Sequence, residues 1–175
     1  GVALLGSGAE DHDLRHLTFA DNDGAADGGG IFVTDARTVL LAASLFSGNT
    51  AAASGGGASL DDIATLTLRH TDWVDNTASV GGGLSALGLG GGRTVHNDFA
   101  GNRATTAAGA SYGAPDGSHR IDNCRFYEND GDGLQISGDS AGDLPITHID
   151  SSGNGGAGVV FTSSPLASVR SSIAA

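Results

Sequence analysis

The chain has 175 residues, which fits one domain, and its net charge of −12 comes from 20 acidic residues against 8 basic ones, all arginine. A chain this acidic should repel a phosphate backbone, so nucleic acid is not an expected partner. No apolar run approaches the roughly 20 residues of a transmembrane helix, so we expect no membrane insertion by this segment. The single cysteine, Cys124, cannot form an internal disulfide and is expected to be a core thiol.

In chain order, residues 1–13 should complete a preceding coil, with Val2–Leu5 as its last strand. Residues 14–162 repeat one pattern six times: an aromatic residue, an asparagine three positions later, glycines, and a short apolar segment; Ser151 replaces the last aromatic. Residues 163–175 should begin a further coil. The incomplete coils expected at both ends predict a single domain that is a fragment of a longer chain. The repeat asparagines, at intervals of 27, 27, 26, 27 and 25 residues, indicate a solenoid: Asn22, Asn49, Asn76, Asn102, Asn129 and Asn154.

The apolar pattern around each asparagine predicts the course of a coil. Positions three and five before it share a parity, so they should lie on the inward face of one strand. Position eight before it is also apolar but has the opposite parity, which predicts a bend six or seven residues before the asparagine. After the glycines, alternate residues such as Ile31 and Val33 should again point inward. The sequence therefore predicts an all-β parallel β-helix, with about six coils of 25–27 residues and three short strands per coil.

Equivalent residues of stacked coils should form ladders along the rod, about 4.8 Å apart. We expect the Phe/Trp ladder to fill the core and the asparagine ladder to join neighbouring coils through side-chain amides. The glycines should provide positive φ angles or close approach at a corner. The loops after the third strand vary most and are candidates for recognition: residues 34–37, 88–92, 113–117 and 138–142.

The pairing of Phe-x-x-Asn with Gly-Gly-Gly and an apolar segment resembles the repeats of chlamydial polymorphic outer-membrane proteins. Residues 123–126 and 129–134 are similar to the repeat of right-handed parallel β-helix proteins of the pectate-lyase-like superfamily. The resemblance covers residues 14–162 and implies a right-handed coil, as does the crossover rule for parallel strands. It implies little about function, because pectate-lyase-like enzymes, alginate epimerases, phage tailspikes and bacterial surface proteins share this repeat.

A column of histidines is the first candidate for chemistry. It lies six residues before the repeat asparagine, where Ala43 and Asn123 stand in the other two coils. Three of these histidines begin a His-x-Asp, whose side chains would share a face in a strand and could serve acid–base chemistry or bind a metal. We prefer a bend-forming role, because His and Asn are enriched among non-glycine residues with positive φ. The column comprises His16, His70, His96 and His148.

Two acidic turns, Asp21–Gly24 and Asn129–Gly133, offer the oxygen ligands that Ca²⁺ prefers. Solvated turn chemistry explains them as well, so no cofactor is assigned.

Two outward rows bear on catalysis. On one face, Asp72, Asp98 and Asp150 form an acidic row with Leu45 and Arg125, which we interpret as a solvated surface. We therefore assign no catalytic, cofactor-binding or metal-binding residue. The row after the glycines carries no charge: Phe32, Ser59, Ser85, Ser111, Gln135 and Val160.

These patterns favour a non-enzymatic function. We expect a rigid extracellular or cell-surface stalk, or adhesin-like passenger, whose corner loops contact a protein or glycan partner. Copies could also stack end to end, through Val2–Leu5 at one end and Leu166–Ile173 at the other, because unpaired strand edges are templates for pairing. The alternative is a carbohydrate-active β-helix (a polysaccharide lyase, epimerase or glycosidase, or a tailspike-like protein) with its active site outside this segment.

Overall fold

The computed structural model describes residues 1–113, 115, 118–138 and 144–162, and the backbone of 169–170. In this part of the chain every strand pair is parallel and no helix occurs. The strands are β1 (Val2–Leu5), β2 (Asp11–Arg15), β3 (Thr18–Ala20), β4 (Asp23–Gly24), β5 (Ile31–Ala42), β6 (Leu45–Ser47), β7 (Thr50–Ala51), β8 (Ala58–Arg69), β9 (Asp72–Val74), β10 (Thr77–Val80), β11 (Leu84–Leu87), β12 (Gly92–Val95), β13 (Asp98–Ala100), β14 (Arg103–Thr106), β15 (Ala110–Gly113), β16 (His119–Tyr127), β17 (Leu134–Ser137), β18 (Ile146–Ser152), β19 (Val159–Thr162) and β20 (Val169–Arg170).

Equivalent strands of successive coils pair in register and build the faces of a rod. The first face contains β1, the start of β5 and β8, then β11, β15, β17 and β19. The second contains β2, the rest of β5 and β8, then β12, β16, β18 and β20. The third contains β3, β6, β9, β13 and the ends of β16 and β18. The predicted all-β parallel solenoid of about six turns is confirmed.

A fourth, short face was not predicted. It consists of β4, β7, β10 and β14, which directly follow the repeat asparagines. Its residues are small or polar and give no apolar alternation, so the sequence offered no strand signal there. Main-chain bonds form it instead: the Thr50 N–H donates to the Asn22 carbonyl at 2.8 Å, and the Thr77 N–H to the Asn49 carbonyl at 2.8 Å.

The predicted aromatic ladder runs through the core as a continuous stack. Four of its five rings are fully or almost fully buried, and Phe19, in the first coil, is half-buried. Neighbouring rings are nearly parallel, with interplanar angles of 5–15°. Their centroid separations are 4.8 Å for Phe19–Phe46, 4.3 Å for Phe46–Trp73, 5.6 Å for Trp73–Phe99 and 4.8 Å for Phe99–Phe126.

The asparagine ladder runs beside it and satisfies its own buried amides. Asn102 illustrates the pattern: its Oδ1 accepts the backbone N–H and the Nδ2 of Asn76, at 3.0 and 3.1 Å. Its Nδ2 donates to the Trp73 carbonyl at 2.8 Å and to Asn129 Oδ1 at 3.0 Å. The same pattern recurs at Asn49, Asn76 and Asn129. The coils are thus joined by side-chain hydrogen bonds inside the rod as well as by the strands.

The bend predicted six or seven residues before each asparagine is confirmed by the backbone angles, which place it six residues before. All six residues of that column have left-handed φ angles: His16 (55°), Ala43 (49°), His70 (51°), His96 (54°), Asn123 (50°) and His148 (51°).

A second bend lies at the residue just before each asparagine, and here acidic residues alternate with glycines. The alternation is steric and electrostatic: a Cβ at Gly48 would lie 2.5 Å from Asp21 Oδ1, and one at Gly101 would lie 2.3 Å from Asp75 Oδ1. Each carboxylate thus occupies space above a glycine, and no two carboxylates of this column stack directly. The column, all with positive φ, is Asp21, Gly48, Asp75, Gly101, Glu128 and Gly153.

The glycine triplets serve both predicted purposes. Gly28, first in its triplet, has a φ of 63°. The next two have ordinary φ angles but no room for a side chain: a Cβ at Gly29 would lie 2.3 Å from the Gly56 carbonyl oxygen, and one at Gly30 would lie 2.6 Å from that of Gly57. Ala107 takes the first position in the fourth repeat at a φ of 54°.

The row expected to face outward after the glycines is more enclosed than its polarity suggests. Ser59, Ser85 and Ser111 are 1%, 9% and 7% exposed. These short side chains lie between longer neighbours in the row, such as Phe32 and Gln135, which pair with Ser59 and Ser111 across the sheet. The row therefore offers little accessible polar surface.

Candidate functional site

A charged groove runs along the third face. Outward residues of successive coils form one column in register: Leu45, Asp72, Asp98, Arg125 and Asp150. The bend column lies beside it. We define the charged groove by the residues that line its central depression: His96, Asp98, Asn123, Arg125, His148 and Asp150.

Arg125 is the centre of the groove. Its Nε donates to Asp98 Oδ1 at 2.7 Å, and its Nη2 donates a second, short hydrogen bond to Asp98 Oδ2. The hydrogen bonds that Arg125 donates to Asp98, together with the negative charge of Asp98, raise the pKa of Arg125, so the guanidinium stays charged. The guanidinium also lies over the ring of Tyr127, 5.9 Å from its centroid. Beyond Tyr127 the depression continues to Glu128 and Ser152.

Asp72 adds a charge to this column, between Leu45 and Asp98. It stands beside Asp98 of the next coil and has no ion pair within the described residues. Burial and the charge of Asp98 raise its pKa, although Arg125 opposes the shift. The acidic row expected to be solvated is therefore a mixed surface, with one paired and one crowded carboxylate on neighbouring coils.

The His-x-Asp pairs do not form the contacts considered from the sequence. The bend falls on each histidine itself, so the two side chains of a pair do not lie on one straight strand. In the described chain no hydrogen bond joins them. Instead, the rings of His70 and His96 stack, with centroids 4.9 Å apart at 6°, and His148 Nδ1 lies 2.8 Å from Asp122 Oδ1 of the preceding coil.

Asp122 anchors a network that the sequence reasoning missed. It accepts hydrogen bonds from Thr147, His148 and Arg120. Burial acts to raise its pKa, but these hydrogen bonds and the charge of Arg120 outweigh it and lower the pKa to about 2. The carboxylate is therefore ionised at neutral pH and holds His148 at the edge of the groove. A column-by-column alignment could have found it, because Asp122 and Thr147 are register partners.

Of the two turns considered for calcium, the second uses several of its side-chain oxygens within the protein. In the first, Asn22 contributes an amide donor, its Nδ2 bonding to Asn49 Oδ1. In the second, Asn129 Oδ1 accepts from the backbone N–H and the Nδ2 of Asn102. Asp130 pairs with Arg103 at 3.3 Å, and Asp132 Oδ1 accepts the Ala157 N–H at 2.8 Å. No group of three or more His, Cys, Asp or Glu suited to a metal ion occurs among the described residues.

A polar cluster is buried inside the fourth and fifth coils. Thr94 Oγ1 lies 2.8 Å from the Tyr112 hydroxyl and 3.2 Å from His119 Nε2, and all three residues are fully buried. Burial lowers the pKa of His119 to about 4 and raises that of Tyr112, so both are neutral at neutral pH. The His119 ring fits here because its register partner is Gly92.

Cys124 lies in the core, as predicted. It is 0% exposed, and burial raises the pKa of its thiol to about 12. The thiol is therefore protonated and shielded from oxidants at neutral pH.

Only some of the four corner loops expected to carry recognition can be located. Residues 34–37 continue within β5; of residues 88–92, the first four connect β11 to β12 and Gly92 begins β12. Residues 114, 116–117 and 139–142, in the other two loops, lie outside the described residues.

The fold and the groove define a parallel β-solenoid with a charged, shallow lateral surface. No protein family, curated protein or solved structure matches the chain. The resemblance to pectate-lyase-like and chlamydial repeats therefore stays a prediction. Within the described residues, no helix has the length and apolarity needed to cross a membrane.

Proposed function

We propose that this chain is a non-enzymatic, rigid stalk or adhesin-like passenger of an extracellular or cell-surface protein. The observation that carries the proposal is the pair of unbroken internal ladders. Stacked rings run from Phe19 to Phe126, and side-chain amide bonds run from Asn22 to Asn154. Because each coil is tied to its neighbours in two ways, the rod holds its surface groups at fixed intervals along the axis. The extracellular location rests on the resemblance of the repeats to those of surface proteins.

The charged groove and the corner loops are the surfaces proposed to contact a protein or glycan partner. The groove is open and follows the rod axis, which suits an extended partner better than an enclosed small molecule. The half-exposed ring of Tyr127 supplies an apolar platform beside the charges of Arg125 and Asp150.

The test is a glycan and protein array probed with the 175-residue chain, run beside a polysaccharide-degradation assay. We expect binding without cleavage or epimerisation, and weaker binding by Tyr127→Ala. Val74→Ala is the matched control, because Val74 occupies the same outward column two coils away. Turnover of a polysaccharide by this chain alone would contradict the proposal.

The second candidate function is a carbohydrate-active enzyme. The observation in its favour is that the groove gathers two carboxylates, Asp98 and Asp150, and two imidazoles, His96 and His148. Asp98 is committed to Arg125, which leaves Asp150 as the free acid in the described groove. If the degradation assay is positive, Asp150→Asn should abolish it; activity that survives this change would place the catalytic residues elsewhere.

End-to-end stacking on other copies is a further proposed contact. In this segment β1 leaves Val2 and Leu5 46% and 72% exposed, and Leu4 packs against the core beneath them. Strand edges of this kind accept a further strand. Electron microscopy should show rods that lengthen with concentration and that Leu4→Asp shortens. At the opposite end the backbone of β20 pairs with β18, and Ile173 lies outside the described residues. A chain that stays monomeric at every concentration would contradict stacking.

A further inference from the structure

The second face carries a strip of arginines in an otherwise acidic chain. Arg93 and Arg120 are register partners on neighbouring coils. On the other side Arg93 pairs with Thr67, and Arg69 follows Thr67 by two residues on the same strand, so Arg69 lies diagonally from Arg93. We call these three residues the arginine strip. On the coils of residues 38–42, 65–69 and 91–95 the outward positions of this face contain no acidic residue: Thr38, Leu40, Ala42, Thr65, Thr67, Arg69, Gly91, Arg93 and Val95. Acidic residues follow on the flanking coils, with Asp11 and Asp13 on one side and Asp122, beside Arg120, on the other.

Two members of the strip have no anionic partner. Arg120 is paired with Asp122, whereas Arg69 and Arg93 make no ion pair in the described chain. Arg69 is only partly exposed, and its Nε is buried without a hydrogen-bond partner. A cation that has lost water and gained no partner is costly to the folded protein. An anion brought to this face would reach the exposed part of the Arg69 side chain, not the buried Nε, and would supply the counter-charge that the guanidinium lacks in the described chain.

The complementary surface is on the same molecule, one face away. Asp72 has no ion pair in the described chain, and it is crowded by Asp98 on the next coil. A guanidinium placed there would relieve that crowding. Both pairs of charges occupy the same two coils, because Arg69 and Asp72 lie on one coil while Arg93 and Asp98 lie on the next. Asp72 and Asp98 are register partners, about 4.8 Å apart. Arg69 and Arg93 are diagonal neighbours, about 7–8 Å apart, a difference that long side chains can span.

We propose that the second face of one copy docks laterally on the third face of another, with Arg69 against Asp72 and Arg93 against Asp98, which also binds Arg125 of its own copy. The contact joins two different surfaces, so it is heterologous and can repeat to form a row of parallel rods. This side-by-side contact is independent of the proposed stalk function and differs from end-to-end stacking, which uses the strand edges.

Salt should separate the local attraction from the repulsion between two chains of net charge −12. At about 0.15 M ionic strength the Debye length is about 8 Å, so charges on distant parts of the rods are screened while charges in contact are not. At about 1 M it falls to about 3 Å, and the contact itself weakens. We therefore expect association at about 0.15 M and dissociation at about 1 M.

The experiment is sedimentation velocity on the wild-type chain, on Arg93→Glu and on Asp72→Lys, at both salt concentrations. Each substitution places the new charge beside an opposite one, Arg120 or Asp98, so folding should survive; urea unfolding checks this. Each variant alone should be monomeric. Mixed, they should form a one-to-one dimer that grows no further. Asp72→Lys keeps Arg69 and Arg93 on its second face, and Arg93→Glu keeps Asp72 and Asp98 on its third face, so only these two intact faces can dock.

Arg103→Glu is the control, since Arg103 is an exposed arginine on the fourth face, paired with Asp130; it should assemble like the wild type. Three results would overturn the proposal: a monomeric wild type at about 0.15 M salt, folded Arg93→Glu that assembles normally, or a mixture that yields no dimer. Assembly that persists at high salt and is lost in Leu4→Asp would assign it to end stacking. A monomeric wild type that binds polyglutamate, with binding lost in Arg93→Glu, would assign the strip to a soluble polyanion instead.

Discussion

Replacing Asn102 by alanine should destabilise the rod far more than its small volume change suggests. The side chain makes four hydrogen bonds, two accepted from Asn76 and two donated, to Trp73 and Asn129. At about 1 kcal/mol for each bond, Asn102→Ala should cost about 4 kcal/mol. The change leaves the backbone N–H of Asn76 buried without its acceptor, so water cannot replace what is lost.

Asn22→Ala is the matched control at the edge of the ladder. Asn22 is half-buried, and its Nδ2 makes two bonds, to Asn49 Oδ1 at 2.8 Å and to the Ala20 carbonyl at 3.2 Å. Water can replace these, so the cost should be about 1 kcal/mol or less. Urea unfolding followed by circular dichroism measures both variants. Equal losses for Asn22→Ala and Asn102→Ala would refute the idea that the buried ladder, rather than the strands alone, joins the coils.

Three further predictions concern the core and the bends. Phe126→Ala should lower the free energy of unfolding by about 3–5 kcal/mol, because Phe126 is 0% exposed and stacks on Phe99; a urea-measured loss below about 1 kcal/mol would contradict the inward assignment. Between about pH 6.5 and pH 4 an unfolded chain binds a proton at His119 that the folded chain excludes, so stability should fall as pH falls, by up to about 3 kcal/mol. His119→Leu should flatten that part of the pH–stability profile, and an unchanged slope would contradict the assignment. His96→Asn should leave stability nearly unchanged, because Asn123 takes the same bend at a φ of 50°, whereas His96→Val should cost about 1–3 kcal/mol; similar urea midpoints for the two variants would show that backbone strain is not what this position resists.

The sequence was most informative where one residue type repeats at one position. The period of the asparagines, the parity of their apolar neighbours and the change of parity at His70 were enough to predict the solenoid, its core and the first bend. These features are determined within one coil and repeated, so the repetition averages out local exceptions such as Ser151.

Features that depend on pairs of residues in different coils could not be predicted in the same way. The bonds to Asp122 depend on the exact register between β16 and β18, and the fourth face depends on main-chain bonds that leave no apolar pattern. The burial of His119 was accessible in principle, because it shares the inward parity of Ile121. The His-x-Asp pairing failed because the histidine that suggested chemistry is also the residue that turns the chain.

The alternation of carboxylate and glycine at the second bend makes two coils, not one, the smallest unit that can be copied or removed without penalty. Deleting the coil that carries Gly101 would place Asp75 beneath Glu128, whereas deleting a consecutive pair of coils would keep every acid opposite a glycine. Duplication or recombination within a gene for such a rod should therefore be tolerated best in even steps. A library of internal deletions would show this as folded products for two-coil deletions and weaker ones for single coils.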